Sequence, residues 1–308
     1  MAAQTFDIGA VGYLSVDTIM LPSRSKPFTV LGGAAAYTSF AAKGLDATAS
    51  IISKVGGNFP QAYLWWMKEE GIDIANISRL ADKPTTCFEL TYSKDLAERN
   101  LRLKSKGPAI TVEDVPNNFH AKALHIAPIA NETSYELVER LKECADILSI
   151  DPQGLLRSFD EAGNVTENAA VDNRVFSLVN IYKSSQKEIF ALTGESELKA
   201  AIRAVHDVGV ETVIITNGIK GSVLSVGGAQ YNIAACPSQV LVDPTGAGDV
   251  FIGGFLTEYI RQKESLWCAT VGSAAASCIV EGIGSTYFGN KEEIYRRAQV
   301  LYEKELKQ

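Results

Sequence analysis

The sequence predicts an α/β fold of three layers, with a mostly parallel central sheet between helices and a small projecting β-sheet. Three observations predict it. Short apolar runs alternate with longer segments of helical period, the rhythm of βαβ units. The runs are continuous rather than alternating, as suits strands buried on both faces. Two segments, 13–31 and 84–106, break the rhythm with extended pieces of another kind. No internal repeat or low-complexity linker interrupts the 308 residues, so one domain is expected over 1–308, with these two segments inserted in it.

Taken in order, Phe6–Val11 is the first strand, and residues 13–31 follow as short extended pieces, with Thr18-Ile19-Met20-Leu21 ahead of Pro22. A helix is expected near 34–43, a strand at Ala49–Ser53 and a helix near 60–70. Over Thr85–Ser93, Cys87, Glu89 and Thr91 alternate with Phe88, Leu90 and Tyr92, and Asn100–Lys104 returns after a charged turn at Lys94–Arg99. Such a hairpin has one wet and one covered face, so together with 13–31 it reads as a lid. Strand Ala123–Ala127, helix 133–144 and strands Ile147–Ile150 and Leu178–Ile181 come next. Helices 186–193 and 196–207 follow, the second stopped before Gly209, and then strand Thr212–Thr216. Val250-Phe251-Ile252 open a helix, Leu266–Val280 reads as a helix of small residues, and Lys291 to Gln308 as a charged amphipathic one. Ligands of such sheets sit at the carboxyl ends of the strands.

Bulk properties narrow the function. A net charge of −7 and a pI near 5.2 argue against nucleic acid or an anionic membrane as the main partner. Cys87, Cys144, Cys236, Cys268 and Cys278 are far apart, and only three histidines occur. That pattern suits neither a zinc site nor a disulfide framework, and reads as thiols in a reducing cytoplasm. Neither a signal peptide nor an apolar run long enough for a membrane helix is read.

Chemistry concentrates in Asp243-Pro244-Thr245-Gly246-Ala247-Gly248-Asp249, just before a helix. Small residues at 246–248 permit a tight turn with converging N–H groups. A helix N-terminus adds free donors and the positive end of its dipole. Such a turn can hold an anion. Asp249 puts a carboxylate at the same point, an odd choice unless it removes a proton. Phosphoryl transfer to an alcohol uses both parts, a base for the attacking hydroxyl and donors for the phosphoryl oxygens. The plain alternative is a structural helix cap, which Asp and Gly also suit.

Other pieces shift that balance. Gly12 and Asp17, Gly32-Gly33-Ala34-Ala35-Ala36, Val55-Gly56-Gly57-Asn58-Phe59 and Thr216-Asn217-Gly218-Ile219-Lys220-Gly221 precede the 243–249 run. In this order they resemble the ribokinase-like, or PfkB, carbohydrate kinase family over nearly the whole chain. Gly-Gly-Ala-Ala-Ala-Tyr at 32–37 and Asp-Pro-Gln-Gly-Leu-Leu-Arg at 151–157 look most like its inositol-kinase-like branch. The resemblance implies a ribokinase-like fold and an ATP- and Mg²⁺-dependent kinase acting on a hydroxyl of a small sugar, cyclitol or nucleoside. It implies Asp249 as the base and Gly246, Ala247 and Gly248 as the anion hole. Asp17, Gly32, Gly33 and Asn58 would grip substrate hydroxyls, with Tyr37 shaping the same pocket. Thr216, Gly218 and Gly221 would lie along the nucleotide, and Ser273 and Ala276 would flank the adenine. Glu188, in a motif completed by Ser185, would help hold hydrated Mg²⁺. Asp243 and Thr245 match positions where some members hold a monovalent cation such as K⁺ through backbone carbonyls. Gln153 and Arg157 either reach substrate or phosphate or belong to a plain strand-ending turn.

Three residues depart from the family pattern. Tyr37 stands where many members carry Asn, Asn58 where Asp is commoner, and Ser185 where Asn belongs. The first two suggest an altered acceptor, the third an altered metal-water network. Tyr37 and Ser185 also motivate a non-catalytic sugar- or nucleotide-binding protein on the same fold, against which the intact Asp249 argues. A nicotinamide dehydrogenase would need Gly-x-Gly-x-x-Gly after the first strand, and Gly9-Ala10-Val11-Gly12 lacks it. The P-loop pattern is absent too. An exposed lid edge offers a route to a homodimer.

Overall fold

The computed structural model describes residues 4–96, 98–167 and 171–306. Ala97 of the expected 94–99 turn, the first three residues of the 1–308 span and the last two of the C-terminal tail lie outside the described residues. In chain order, β1 (Gln4–Val11), β2 (Ser15–Met20) and β3 (Phe28–Gly32) lead into α1 (Ala34–Gly44) and β4 (Ala49–Gly56). Then come α2 (Gln61–Glu69), β5 (Ile72–Asp73), β6 (Ile77–Leu80), β7 (Thr86–Tyr92), β8 (Arg99–Ser105) and β9 (Phe119–Ile126). α3 (Tyr135–Lys142), β10 (Ala145–Ile150), β11 (Arg157–Phe159), β12 (Val165–Glu167) and β13 (Ile181–Ser185) follow. The chain continues through α4 (Gln186–Thr193), α5 (Leu198–Asp207), β14 (Thr212–Thr216), β15 (Ser222–Val226) and β16 (Ala229–Ile233). It ends with α6 (Ala247–Tyr259), α7 (Ser265–Ile279) and α8 (Lys291–Glu305).

The central sheet has ten strands in the order β16-β15-β14-β13-β10-β9-β1-β4-β5, with β6 also on β4. Pairing is parallel from β14 through β5, and the β14–β15 and β15–β16 pairings are antiparallel, so β15 runs against the rest. Its middle strands are mostly apolar where both faces are covered. Ile8, Ala123, Ile181 and Ile214 pack under Phe251, Ile252 and Phe255 of α6, with α1, α7 and α8 completing that layer. Leu124, Leu148 and Val213 face α3, α4 and α5 through Leu137, Ile189 and Ile202. Each fully buried side chain of this kind contributes roughly 1.5–3 kcal/mol. The small residues of α7 serve packing: a Cβ at Gly272 would come within 2.7 Å of Phe251 O on α6.

The two segments that break the rhythm join in one sheet, β3-β2-β7-β8. Its centre is a parallel pairing of β2 with β7, which brings Asp17 beside Phe88. The outer side of β8 is partly occupied. Leu103 N donates to Gly163 O at 2.8 Å, and Arg102 bridges to Asn164 beside the β11–β12 hairpin. That stretch of lid edge is therefore not free for a second copy.

One expected strand is displaced. Asn173–Leu178 forms 3-10 turns started by Asp172, and the strand runs over Ile181–Ser185 instead of Leu178–Ile181. The apolar run misleads because Asn180 interrupts it, its side chain accepting from Leu148 N. The strand then continues through polar Lys183, Ser184 and Ser185 as it approaches the site. The β15–β16 hairpin was not expected, although Gly227-Gly228 between its strands, both at positive φ, is a recognisable turn signal.

Candidate active site

The carboxyl ends of β10, β13 and β14 deliver Asp151, Ser185 and Thr216 to one edge of the sheet, and the N-terminus of α6 arrives there. Gly246 caps that helix in a left-handed conformation, φ 78°, and a Cβ there would lie 2.1 Å from the Tyr37 ring. Position 246 therefore needs glycine for conformation and for space. Ala247 N turns back on Pro244 O at 3.3 Å and Asp249 N on Gly246 O at 3.0 Å. The N–H groups of Gly246 and Gly248 have no hydrogen bond among the described residues. They are the free donors of the turn.

Asp249 sits in the first turn of α6. Burial pushes its carboxyl up to about 6, against the Lys183 ammonium; Asp151 adds to the rise, and Arg99 and Arg157 oppose it. Gln153 Nε2 donates to Asp249 Oδ1 at 3.3 Å, and Arg157 in turn donates to Gln153 Oε1 at 2.9 Å. Thr38 Oγ1 donates to the Asp249 carbonyl at 3.1 Å and ties α1 to this helix start.

One cleft joins Asp249 and Gly246 to Ser15, Asp17, Gly33, Tyr37, Arg99, Gln153, Arg157 and Thr245. Asp17 is buried, with its carboxyl raised to about 6 by burial, against the Ser15 hydroxyl and Arg99. Gly32 underlies it, since a Cβ there would overlap Asp17 Oδ2. Asp17 Oδ1 and Tyr37 Oη are both buried without a hydrogen-bond partner among the described residues. Burial, with Asp17, Asp243 and Asp249 nearby, holds the Tyr37 phenol well above its usual range.

Other expected residues are placed differently. Asn58 is exposed, does not line the cleft, and accepts from Thr85 N at 2.8 Å, bracing the start of the lid. Ser185 and Glu188 form a capping box on α4: Ser185 N and Oγ both donate to Glu188 Oε2, at 2.8 and 2.7 Å. Asp243 accepts from Thr245 N and Oγ1 on one oxygen and from Gly284 N on the other. Because the Thr245 hydroxyl proton goes to Asp243, Tyr92 of the lid must donate to Thr245 Oγ1 in their 2.7 Å contact. A second groove, of ≈ 370 Å³, is lined by Gly221 with Asn217, Lys220, Ile233 and Ala234 among others. Thr216 and Gly218 border it without lining it; Thr216 Oγ1 donates to Ser184 O. Ser273 and Ala276 are also outside its lining. Ser273 Oγ accepts from Cys236 N, and Ala276 packs in the apolar layer under α6.

Sequence reasoning missed Lys183, Asp151, Arg99 and Tyr92. Lys183 carried a signal: a cation two residues into a strand that is otherwise buried. Asp151 could be placed at the strand end but not given a partner.

The fold and this cleft define a hydroxyl-phosphorylating transferase of the ribokinase class. The profile for pfkB family carbohydrate kinases matches residues 11–292, and the chain belongs to that family. It is 29% identical over 283 residues to the cytidine kinase of Thermococcus kodakarensis, covering 90% of this chain and 97% of that one. It is also 29% identical over 278 residues to the inositol 3-kinase of Oryza sativa subsp. japonica, covering 85% of this chain and 65% of that one. Among solved structures, the nucleoside kinase of Methanocaldococcus jannaschii, described as an archaeal member of the ribokinase family, matches with a TM-score of 0.76 at 23% identity, over 97% of this chain and 100% of that one. The expectation of a ribokinase-like kinase with a hydroxyl acceptor is borne out, and the binding-only alternative is set aside. No described helix is long and apolar enough to cross a membrane.

Proposed function

We propose that the protein transfers the γ-phosphoryl group of ATP to a hydroxyl of a small polyol: a sugar, an inositol-like cyclitol or a nucleoside. Two of the orphaned polar atoms carry this, Asp17 Oδ1 and Tyr37 Oη, buried in the same cleft as Asp249. Buried polar groups are normally paired, and a substrate bearing several hydroxyls would pair both.

Asp17 accepts from acceptor hydroxyls and orients the ring. Asp249 takes the proton of the attacking hydroxyl, for which a carboxyl titrating near 6 is a serviceable base at neutral pH. The Gly246 and Gly248 N–H groups, at the positive end of α6, stabilise charge on the phosphoryl oxygens. Asn217, Lys220 and Gly221 line the groove assigned to the nucleotide. Hydrated Mg²⁺ fits Glu188, whose Oε1 has no protein partner among the described residues while Oε2 is fixed by Ser185. When bound, the ion neutralises phosphate charge. A K⁺ ion, if used, would be held by carbonyls of the 243–245 turn, because the Asp243 carboxylate is already occupied. A cytoplasmic setting completes this reading. A homodimer through the lid would pair along β3 rather than the covered stretch of β8.

The test is a coupled ADP-release screen over sugars, cyclitols and nucleosides, with and without Mg²⁺ and K⁺. One acceptor class is expected to raise ADP release in Mg²⁺. Turnover no higher with any acceptor than with ATP alone would sink the proposal.

A further inference from the structure

Lys183 has no part in the mechanism so far, yet it is the buried cation nearest the catalytic turn. The register pairing Ile150 with Tyr182 places Asp151 and Lys183 side by side on the sheet face that carries α6. Lys183 Nζ lies 2.5 Å from Asp151 Oδ2, with side chains only 5% and 2% exposed. A Cβ at position 248 would come within 2.6 Å of that ammonium, so the cation rests directly on Gly248. The other Asp151 oxygen accepts from Gln153 N at 3.1 Å. Gln153 is the residue whose amide reaches Asp249, and Arg157 fixes which end of that amide points at the base. One buried carboxylate thus anchors both the cation and the amide that flank Asp249. A buried ion pair is a poor device for stability alone, since apolar replacements often do as well.

We propose that Asp151 and Lys183 are a positioning pair: Lys183 keeps Asp249 ionised, and Asp151, which holds both Lys183 and Gln153, keeps it aimed at the acceptor hydroxyl. The proposal rests on the assignment of Asp249 as the base. Asp249 is faced by Lys183 from β13, Asp151 after β10, Arg99 from β8, Arg157 from β11 and Tyr37 from α1. Lys183 is faced in turn by Glu188 from α4 and by His125 from β9, which burial keeps neutral. Burial raises the Asp249 carboxyl, Lys183 gives the largest opposing effect, and Asp151 acts with burial. Removing one member of the pair therefore moves Asp249 one way, and removing the other moves it the opposite way. A purely structural pair has no such antisymmetry.

The experiment is a ¹³C NMR titration of the full chain labelled at aspartate carboxyls, without nucleotide or acceptor, with Asp249 identified by the resonance lost in Asp249→Asn. Lys183→Met is expected to raise the Asp249 midpoint by roughly 1–3 pH units, the usual effect of losing an adjacent opposite charge. Lys183→Arg should stay near wild type, and Asp151→Asn should lower the midpoint. An unmoved midpoint in folded Lys183→Met overturns the proposal. If that variant does not fold, Asp151→Asn decides, and a midpoint at or above wild type overturns it. The titration needs no substrate, so a failed kinase reading would show in the ADP screen while these midpoints still moved.

Discussion

Replacing Asp249 by Asn should make the protein more stable while disabling it. The carboxyl titrates at about 6 in the folded chain against an ordinary value of 3.8, with burial outweighing the three cations around it. The folded state therefore binds this proton more tightly than the unfolded state. That contribution favours folding below the unfolded value and is lost as pH rises through about 6. Above that point the native protein carries a desolvated charge that it would hold more cheaply as a neutral group. A rise of about two pH units corresponds to about 3 kcal/mol. Asn mimics the protonated form, so Asp249→Asn should gain about 3 kcal/mol at pH 8 and almost nothing at pH 4. In a chain of this size that is a Tm difference of roughly 4–5 °C at pH 8. Thermal melts of both proteins at several pH values would follow the gap. A gap that stays constant with pH, or a wild type more stable at pH 8, would refute the claim that burial dominates this carboxyl.

The same variant should lose roughly 10²–10⁴-fold in kcat on an accepted acceptor, and near wild-type turnover would remove Asp249 from the base role. In the wild type, kcat/KM should fall at least tenfold per pH unit on the acidic side of about 6, where Asp249 and the substrate-gripping Asp17 both take up protons; a flat profile down to pH 5 would contradict this. Gly246→Ala adds a methyl group 2.1 Å from Tyr37 at a left-handed position. A loss of roughly 2–4 kcal/mol is expected from strain and overpacking together, read from urea midpoints, and the double variant with Tyr37→Ala should recover the overpacking part. Ser185→Ala removes the cap of α4 and should lower stability by about 1 kcal/mol. It should also raise the Mg²⁺ concentration needed for half-maximal activity, because Glu188 loses its hold; an unchanged Mg²⁺ titration would detach Ser185 from the metal.

The parallel core was legible because strands covered on both faces carry continuous apolar runs, as at 8–11 and 213–215. The 243–249 turn was legible because Gly246 and Asp249 answer opposite needs at one point. Lys183 and Asp151 were not, because a register of strands distant in sequence brings them together. Asn58 and Ser273 misled for a different reason. Their residue types suit a ligand, but their hydrogen bonds to Thr85 and Cys236 are made within the protein. Gln153 shows the converse: a residue equally compatible with a plain turn proves to reach Asp249.

The Tyr92–Thr245 contact links the roof of the cleft to its chemistry. Tyr92 belongs to lid strand β7, and Thr245 stands immediately before the anion-binding glycine. Were the small sheet to lift as a lid to admit an acceptor, Thr245 Oγ1 would lose its donor while still bound to Asp243. We therefore expect the turn to reach its full rigidity only under a closed lid, so that ATP arriving without an acceptor meets a slackened catalyst and is spared from water. Tyr92→Phe should then lower acceptor-dependent kcat while ADP release without acceptor rises no higher, and an unchanged kcat would show that the latch governs lid position alone.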